Sequence, residues 1–165
     1  MKIGKGVEWA AHACALLAAL PEGYALSRDA LAQFLDVPPA YLAKQLQALS
    51  RANIIESQRG KTGGYRLVRP ASEVSLWDIT AAVEGGERLF RCSEVRRNGP
   101  CGAQPAECSA PCAIAARFWQ AEQGYRRALA DQRLSAIVAD LDRAIAASRR
   151  DSLKHWIAQH AVMNG

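Results

Sequence analysis

No apolar run in this chain approaches about 18 residues without a charge or a turn signal, so no membrane-spanning helix is expected. The apolar N-terminal stretch is interrupted by Glu8 and His12, and no convincing cleavage site follows it. It reads as a helix of the mature protein rather than a signal peptide, with the cytoplasm as the expected location. The sequence has no C-x-x-C and no βαβ pattern around its cysteines, which argues against a thiol oxidoreductase. No other nucleophile–base constellation is visible, so no enzyme is expected. There is neither an internal repeat nor a low-complexity tract. The five cysteines are odd in number, which argues against a disulfide framework in a reducing compartment. None is needed, because a chain of 165 residues can bury roughly 70% of its unfolded surface. Half of the residues are hydrophobic and 22% are charged, a globular composition.

Acidic residues are almost missing from one segment. Residues 41–70 hold Lys44, Arg51, Arg59, Lys61, Arg66 and Arg69 against Glu56 alone, which accounts for the whole net charge of +5. A concentrated basic stretch points to an anionic partner, with nucleic acid first. The cysteines are concentrated too: Cys92, Cys101, Cys108 and Cys112 fall close together, and only Cys14 stands apart.

The pattern predicts a helix over 5–20, stopped by Pro21 and Gly23. A second helix starts at the N-cap Ser27, with Ala30, Leu31, Phe34 and Leu35 as its apolar face. A third, over about 39–51, opens at Val37-Pro38-Pro39 and places Leu42, Leu46 and Leu49 on one side. Ile54, Ile55 and Ser57 read as a strand, residues 59–64 as a turn, and Tyr65, Leu67 and Val68 as the return strand. Ser75–Val83 reads as a short helix. Residues 92–111, with Pro100, Pro105 and Pro111, form a loop long enough to imply a function. From Cys112 one long helix is expected to about Ser148, with Leu134, Ile137, Val138, Leu141 and Ile145 on one face. That face is expected to lie partly in a dimer interface. A last short helix is expected over 151–163.

Three short helices and a basic hairpin describe a winged helix-turn-helix. Tyr41, Lys44 and Gln45 lie near the N-terminal end of the third helix, where they can enter a major groove. Arg59 and Lys61 sit at the hairpin tip among glycines that permit positive φ and close approach to a phosphate backbone or minor groove. The expected class is mainly α with a small β-hairpin: a winged helix-turn-helix plus a long C-terminal dimerisation helix. The expected division is 1–84 for DNA binding, 85–111 for a cysteine loop, and 112–165 for dimerisation and tail.

The run YLAKQLQALSRANIIESQRGKTGGYRLVRPASEVSLWDITAAVEG, with its RG-x-x-GGY-x-L wing and following E-G, resembles the bacterial winged-helix regulators typified by IscR, NsrR and RsrR. The resemblance covers about residues 1–148 and implies a homodimer whose long helices cross. It also implies binding to a roughly palindromic double-stranded DNA operator, with Tyr41, Lys44 and Arg59 at operator-contacting positions. Ala43 stands where some relatives have a Glu that discriminates between operators, so base preference does not transfer.

The family commonly binds an iron–sulfur cluster through three loop cysteines. Here the spacing Cys92-x8-Cys101-x6-Cys108-x3-Cys112 is wider and holds one cysteine more, and Ala115 replaces the histidine that follows the last cysteine in IscR. Thiolates suit soft iron sites. Glu8 and His12 stand at i and i+4, on one helix face. The pair is commonplace on helix surfaces, but E-W-x-x-H at this end of the chain resembles the RsrR subgroup. The resemblance implies that Glu8 and His12 of one subunit and two cysteines of the other hold a 2Fe–2S cluster. Cys108 and Cys112, one helical turn apart, are the favoured pair, with Cys101 next and Cys92 structural or spare. Trp9, between the proposed ligands, is either a packing residue or a redox-coupling one. Cys14 reads as an inert core residue, and His155 and His160 as solvent-facing. The expected function is a redox-sensing transcriptional repressor. The competing expectations are a winged-helix regulator with structural zinc, or one with thiol-based sensing, in the same loop.

Overall fold

The computed structural model describes residues 3–58 and 63–163. Its elements in chain order are α1 (Lys5–Ala18), β1 (Tyr24–Leu26), α2 (Arg28–Leu35), α3 (Pro39–Arg51), β2 (Ile55–Ser57), β3 (Tyr65–Leu67), α4 (Leu76–Glu84), α5 (Ala113–Ala130), α6 (Leu134–Ala144), α7 (Ala147–His160) and β4 (Ala161–Met163). Between α4 and α5 the chain is irregular apart from two 3-10 turns, Val95–Arg97 and Pro105–Cys108.

The helix starts follow from their side chains. Ser27 accepts a hydrogen bond from the Ala30 amide at 3.1 Å and caps α2. Pro39 opens α3, where a missing N–H costs nothing. Ser75 and Asp78 cap α4 reciprocally: Asp78 accepts from the Ser75 amide at 2.8 Å, and Ser75 accepts from the Asp78 amide at 3.1 Å. The core lies where α1 packs against α3, α4 and α6. Leu42, Leu46 and Leu49 of α3 are fully buried there, each stabilising by about 1.5–3 kcal/mol. Cys14 is fully buried as expected, and burial pushes its thiol up to about 12.

The small β component is larger than a hairpin. β2 and β3 pair antiparallel in the register Ile55↔Leu67, Glu56↔Arg66, Ser57↔Tyr65. β1 adds to β3 through Leu26↔Tyr65, and β4 closes the far side with Ala25↔Val162, giving the order β2-β3-β1-β4. Gly64 finds its reason here. A Cβ at that position would stand 2.8 Å from the Leu26 carbonyl oxygen, so this wing glycine serves sheet packing rather than the positive φ expected of it.

The C-terminal half departs most from expectation. The single helix expected from Cys112 to Ser148 is instead α5 and α6, broken at 131–133. There the backbone turns to pair with the entry to α4. The Leu76 amide donates to the Gln132 carbonyl at 2.9 Å, the Leu134 amide donates to the Val74 carbonyl at 2.8 Å, and Ser75 and Arg133 form a β-bridge. Leu134 is thereby buried in the chain's own core and Val138 packs against it. Two of the five residues expected to face a dimer partner therefore stabilise the subunit itself. The last helix is α7, and residues 161–163, expected to extend it, form β4. On α2, Ala32 is buried while Phe34 is 41% exposed, its ring tilted against Trp156 of α7 with centroids 4.8 Å apart. His155 is exposed, but His160 stacks on Trp156 at 4.3 Å and is half-buried.

α5 is tied to the start of the cysteine loop by Glu122, which is buried. Its carboxylate accepts from Arg126 Nε at 2.8 Å and from the Leu89 amide at 3.1 Å. Burial alone would raise its pKa, but the Arg126 and backbone hydrogen bonds outweigh that and hold it below the usual Glu range. A carboxyl whose folded pKa is depressed stabilises above its unfolded pKa, and that contribution disappears as pH falls through the folded value. Glu122→Gln should therefore cost about 1–3 kcal/mol at neutral pH. The difference from wild type in denaturant midpoint should shrink progressively as pH drops below about 4.3.

Candidate functional site

Two surfaces carry the chemistry-bearing residues. On the first, α3 presents Tyr41, 64% exposed, together with exposed Lys44 and half-buried Gln45. Lys44, Gln45, Ala48 and Arg51 line a shallow groove whose other wall is Ala82 and Val83 of α4. Arg51 is a basic groove residue that the sequence reading counted as charge without placing it at the site. Arg66, counted in the same way, pairs with Glu56 directly across the β2–β3 ladder and so is not a free cation. The wing-tip residues Arg59 and Lys61 lie outside the described residues.

α1 lies directly on this reading helix. A Cβ on Gly6 would meet the Gln45 side chain at 3.0 Å, and the Gly4 amide donates to Glu84 Oε1 of α4 at 2.6 Å. Trp9 packs edge-on to Tyr41, ring centroids 6.4 Å apart. Glu8 and His12, one turn apart on the same helix, are both exposed. Neither makes an ion pair or side-chain hydrogen bond among the described residues.

The second surface is the cysteine loop, organised by a residue that sequence reasoning missed. Arg96 donates to Glu94 at 2.5 and 2.9 Å and to the Ala110 carbonyl at 2.9 Å. The Ala103 amide donates back to the Arg96 carbonyl at 2.8 Å, joining the two 3-10 turns. Cys112 is the N-cap residue of α5. The backbone N–H groups of Ala115 and Ile114, aided by Arg96, hold its thiol below the ordinary cysteine range. Cys92 and Cys101 are exposed, while Cys108 and Cys112 are half-buried. Ala115 is buried in α5, so no loop histidine can follow the last cysteine. Arg96 had a faint sequence signal, since Arg96-Arg97 is the basic pair within the loop.

The structure thus places Cys108 and Cys112 on either side of Ala110, which Arg96 holds, and leaves Glu8 and His12 on a separate helix. Among the described residues, no three His, Cys, Asp or Glu side chains of one subunit converge as a metal site. The donor types nonetheless suit iron: a thiol of lowered pKa, a neighbouring thiol, and a carboxylate and an imidazole that make no ion pair among the described residues. No helix is long and apolar enough to cross a membrane among the described residues.

Fold and basic face together define a winged helix-turn-helix DNA-binding regulator. The Rrf2 family model, described as an iron-dependent transcriptional regulator, matches residues 3–140, and the chain belongs to that family of regulators, which are not enzymes. It is 36% identical over 91 residues to YwgB of Bacillus subtilis and 35% identical over 98 residues to YffB of Lactococcus lactis, both bearing HTH-type transcriptional regulator names. Those alignments span 55% and 59% of this chain and only 58% and 63% of the relatives' own length. Among solved structures, T. potens IscR superposes with a TM-score of 0.64 at 18% identity, covering 88% of this chain and 93% of that one. The oxidized form of Staphylococcus aureus CymR superposes with a TM-score of 0.59 at 23% identity, covering 84% and 96%. At such identities these likenesses speak for the fold alone.

Proposed function

We propose that this chain is a cytoplasmic, homodimeric transcriptional repressor of the RsrR type, in which a 2Fe–2S cluster shared between subunits sets operator affinity. Glu8 and His12 of one subunit would hold the cluster together with Cys108 and Cys112 of the other, with Cys101 as the alternative thiolate. The observation that carries this reading is the placement of Trp9. The helix bearing the two exposed N-terminal donors rests its indole on Tyr41 of the reading helix. Bound there, the cluster supplies a one-electron change of charge. The protein's part is to hold its donors in place. Arg96 fixes Ala110, two residues before Cys112, and the α5 N-terminus lowers the pKa of that thiol. Any shift of α1 reaches α3 through Trp9–Tyr41 and Gly6–Gln45.

The dimer contacts fall on α5 in this reading. Ile114 is 65% exposed and Phe118, stacked on Phe90 at 4.5 Å, is 52% exposed. Leu89 and Val95 from the cysteine loop are exposed as well, and such large apolar side chains want a partner surface.

A second reading has one observation in its favour. The low-pKa thiol of Cys112 beside Arg96 is the environment of an oxidisable cysteine, and CymR, a structural neighbour, was solved in an oxidized form. Anaerobic purification separates the readings. The cluster predicts visible absorption with two irons and two sulfides per subunit. A colourless protein without iron leaves thiol sensing, and one zinc per subunit leaves a structural metal.

A further inference from the structure

A cleft of about 600 Å³ separates α1 and α2 from α6 and α7, away from the α3 face and the cysteine loop, with the proposed iron ligand His12 among its lining residues. Its size falls within the roughly 300–1,000 Å³ of small-molecule sites. The walls are apolar: Phe34 and Leu35 of α2, Val138 and Leu141 of α6, Leu153 and Trp156 of α7. The tilted Phe34–Trp156 pair closes one end. This cleft explains why Phe34 and Leu141 stay 41% and 42% exposed although both belong to apolar faces. The α7 wall lies beyond residues 3–140, the part matched to the family.

The charges at the mouth select among ligands. The cleft's one carboxylate, Asp142, is taken by Arg150, whose Nε lies 2.7 Å from it. Arg149 also lines the cleft, and among the described residues its guanidinium makes no ion pair. His12 and Ser152 add polar groups to the lining. An apolar chamber whose lining holds a guanidinium with no ion pair among the described residues fits a molecule with a hydrocarbon or aromatic body and one anionic head. We propose that this cleft binds a small amphipathic carboxylate, with its body against Phe34, Leu153 and Trp156 and its carboxylate on Arg149. Such a ligand touches α2, which packs directly on α3. The exposed patch of α5 is a different element, which favours a small molecule over a second copy as the occupant.

The test is calorimetric titration of the purified full-length protein with octanoate, octanol and octylammonium. Octanoate should bind at least tenfold more tightly than octylammonium. Arg149→Gln should weaken octanoate about tenfold while leaving octanol unchanged. Ser152→Trp, at an exposed position of the lining, should occlude the cleft and abolish binding of both without lowering the melting temperature. No binding at millimolar octanoate, or unchanged binding in both variants, would overturn the proposal. So would dissociation of the dimer by Ser152→Trp, which would give the cleft to a second subunit. Arg149 and Ser152 are neither proposed iron ligands nor part of the DNA surface, so failure of this test leaves the regulator reading standing.

Discussion

His12→Ala is expected to lose at least tenfold of the bound cluster, and Cys112→Ala the same, each with an unchanged far-ultraviolet spectrum. His12 is exposed and Cys112 caps α5 through its backbone, so neither substitution removes core packing. The loss reports ligation, because even outer-shell changes at metal sites cost about 10–100-fold in affinity. Ligation across the interface makes a sharper forecast. A purified heterodimer of the two variants holds one intact ligand set and one doubly damaged set, so it should carry one cluster where the wild-type dimer carries two. The double variant Ile114→Glu, Phe118→Glu extends the argument. It leaves all four proposed ligands in place, yet it should yield monomers in sedimentation that hold no cluster. Full cluster retention in His12→Ala would return the site to cysteines alone.

Replacing both Arg59 and Lys61 with Ala should weaken operator binding and flatten its dependence on log salt by about two units, one for each phosphate released. Arg66, being paired to Glu56 across the β2–β3 ladder, offers no substitute charge. Lys44→Ala should behave differently. A residue that reads a base edge changes the preference between operators by about 1–3 kcal/mol rather than the affinity for all of them. Equal weakening on every operator would make Lys44 a phosphate contact, and an unchanged salt slope in the wing variant would place the wing off the DNA.

The reading helix, its proline start and its leucine face were all legible in the sequence. Helical periodicity over a dozen residues is a strong signal, and Ser27, Pro39 and Ser75 mark boundaries by chemistry. The extra strands were not legible. β1 and β4 are three residues each, too short for alternation to show, and their pairing joins Ala25 to Val162 across most of the chain. The break before Leu134 was hidden for a similar reason. The sequence Asp131-Gln132-Arg133 contains no helix breaker, and the interruption comes from tertiary pairing with Val74–Leu76. At the site, the residue types were readable one by one. The role of Arg96 was not, because it depends on how a loop without periodicity folds around Ala110 and two thiols. Gly64 was noticed for the right motif and explained by the wrong geometry, since a contact with Leu26 cannot be seen from local sequence.

The central claim is that cluster redox state sets operator affinity through α1 and α3. It is tested most directly by fluorescence anisotropy titration of one operator duplex, selected from random sequence by the protein itself. The duplex is titrated with the oxidised protein and with the chemically reduced protein under anaerobic conditions. The account predicts affinities that differ by tenfold or more, a coupling of about 1.4 kcal/mol, with the first value restored on reoxidation and iron retained throughout. Equal affinities in the two states, or a change that appears only when iron is lost, would contradict it.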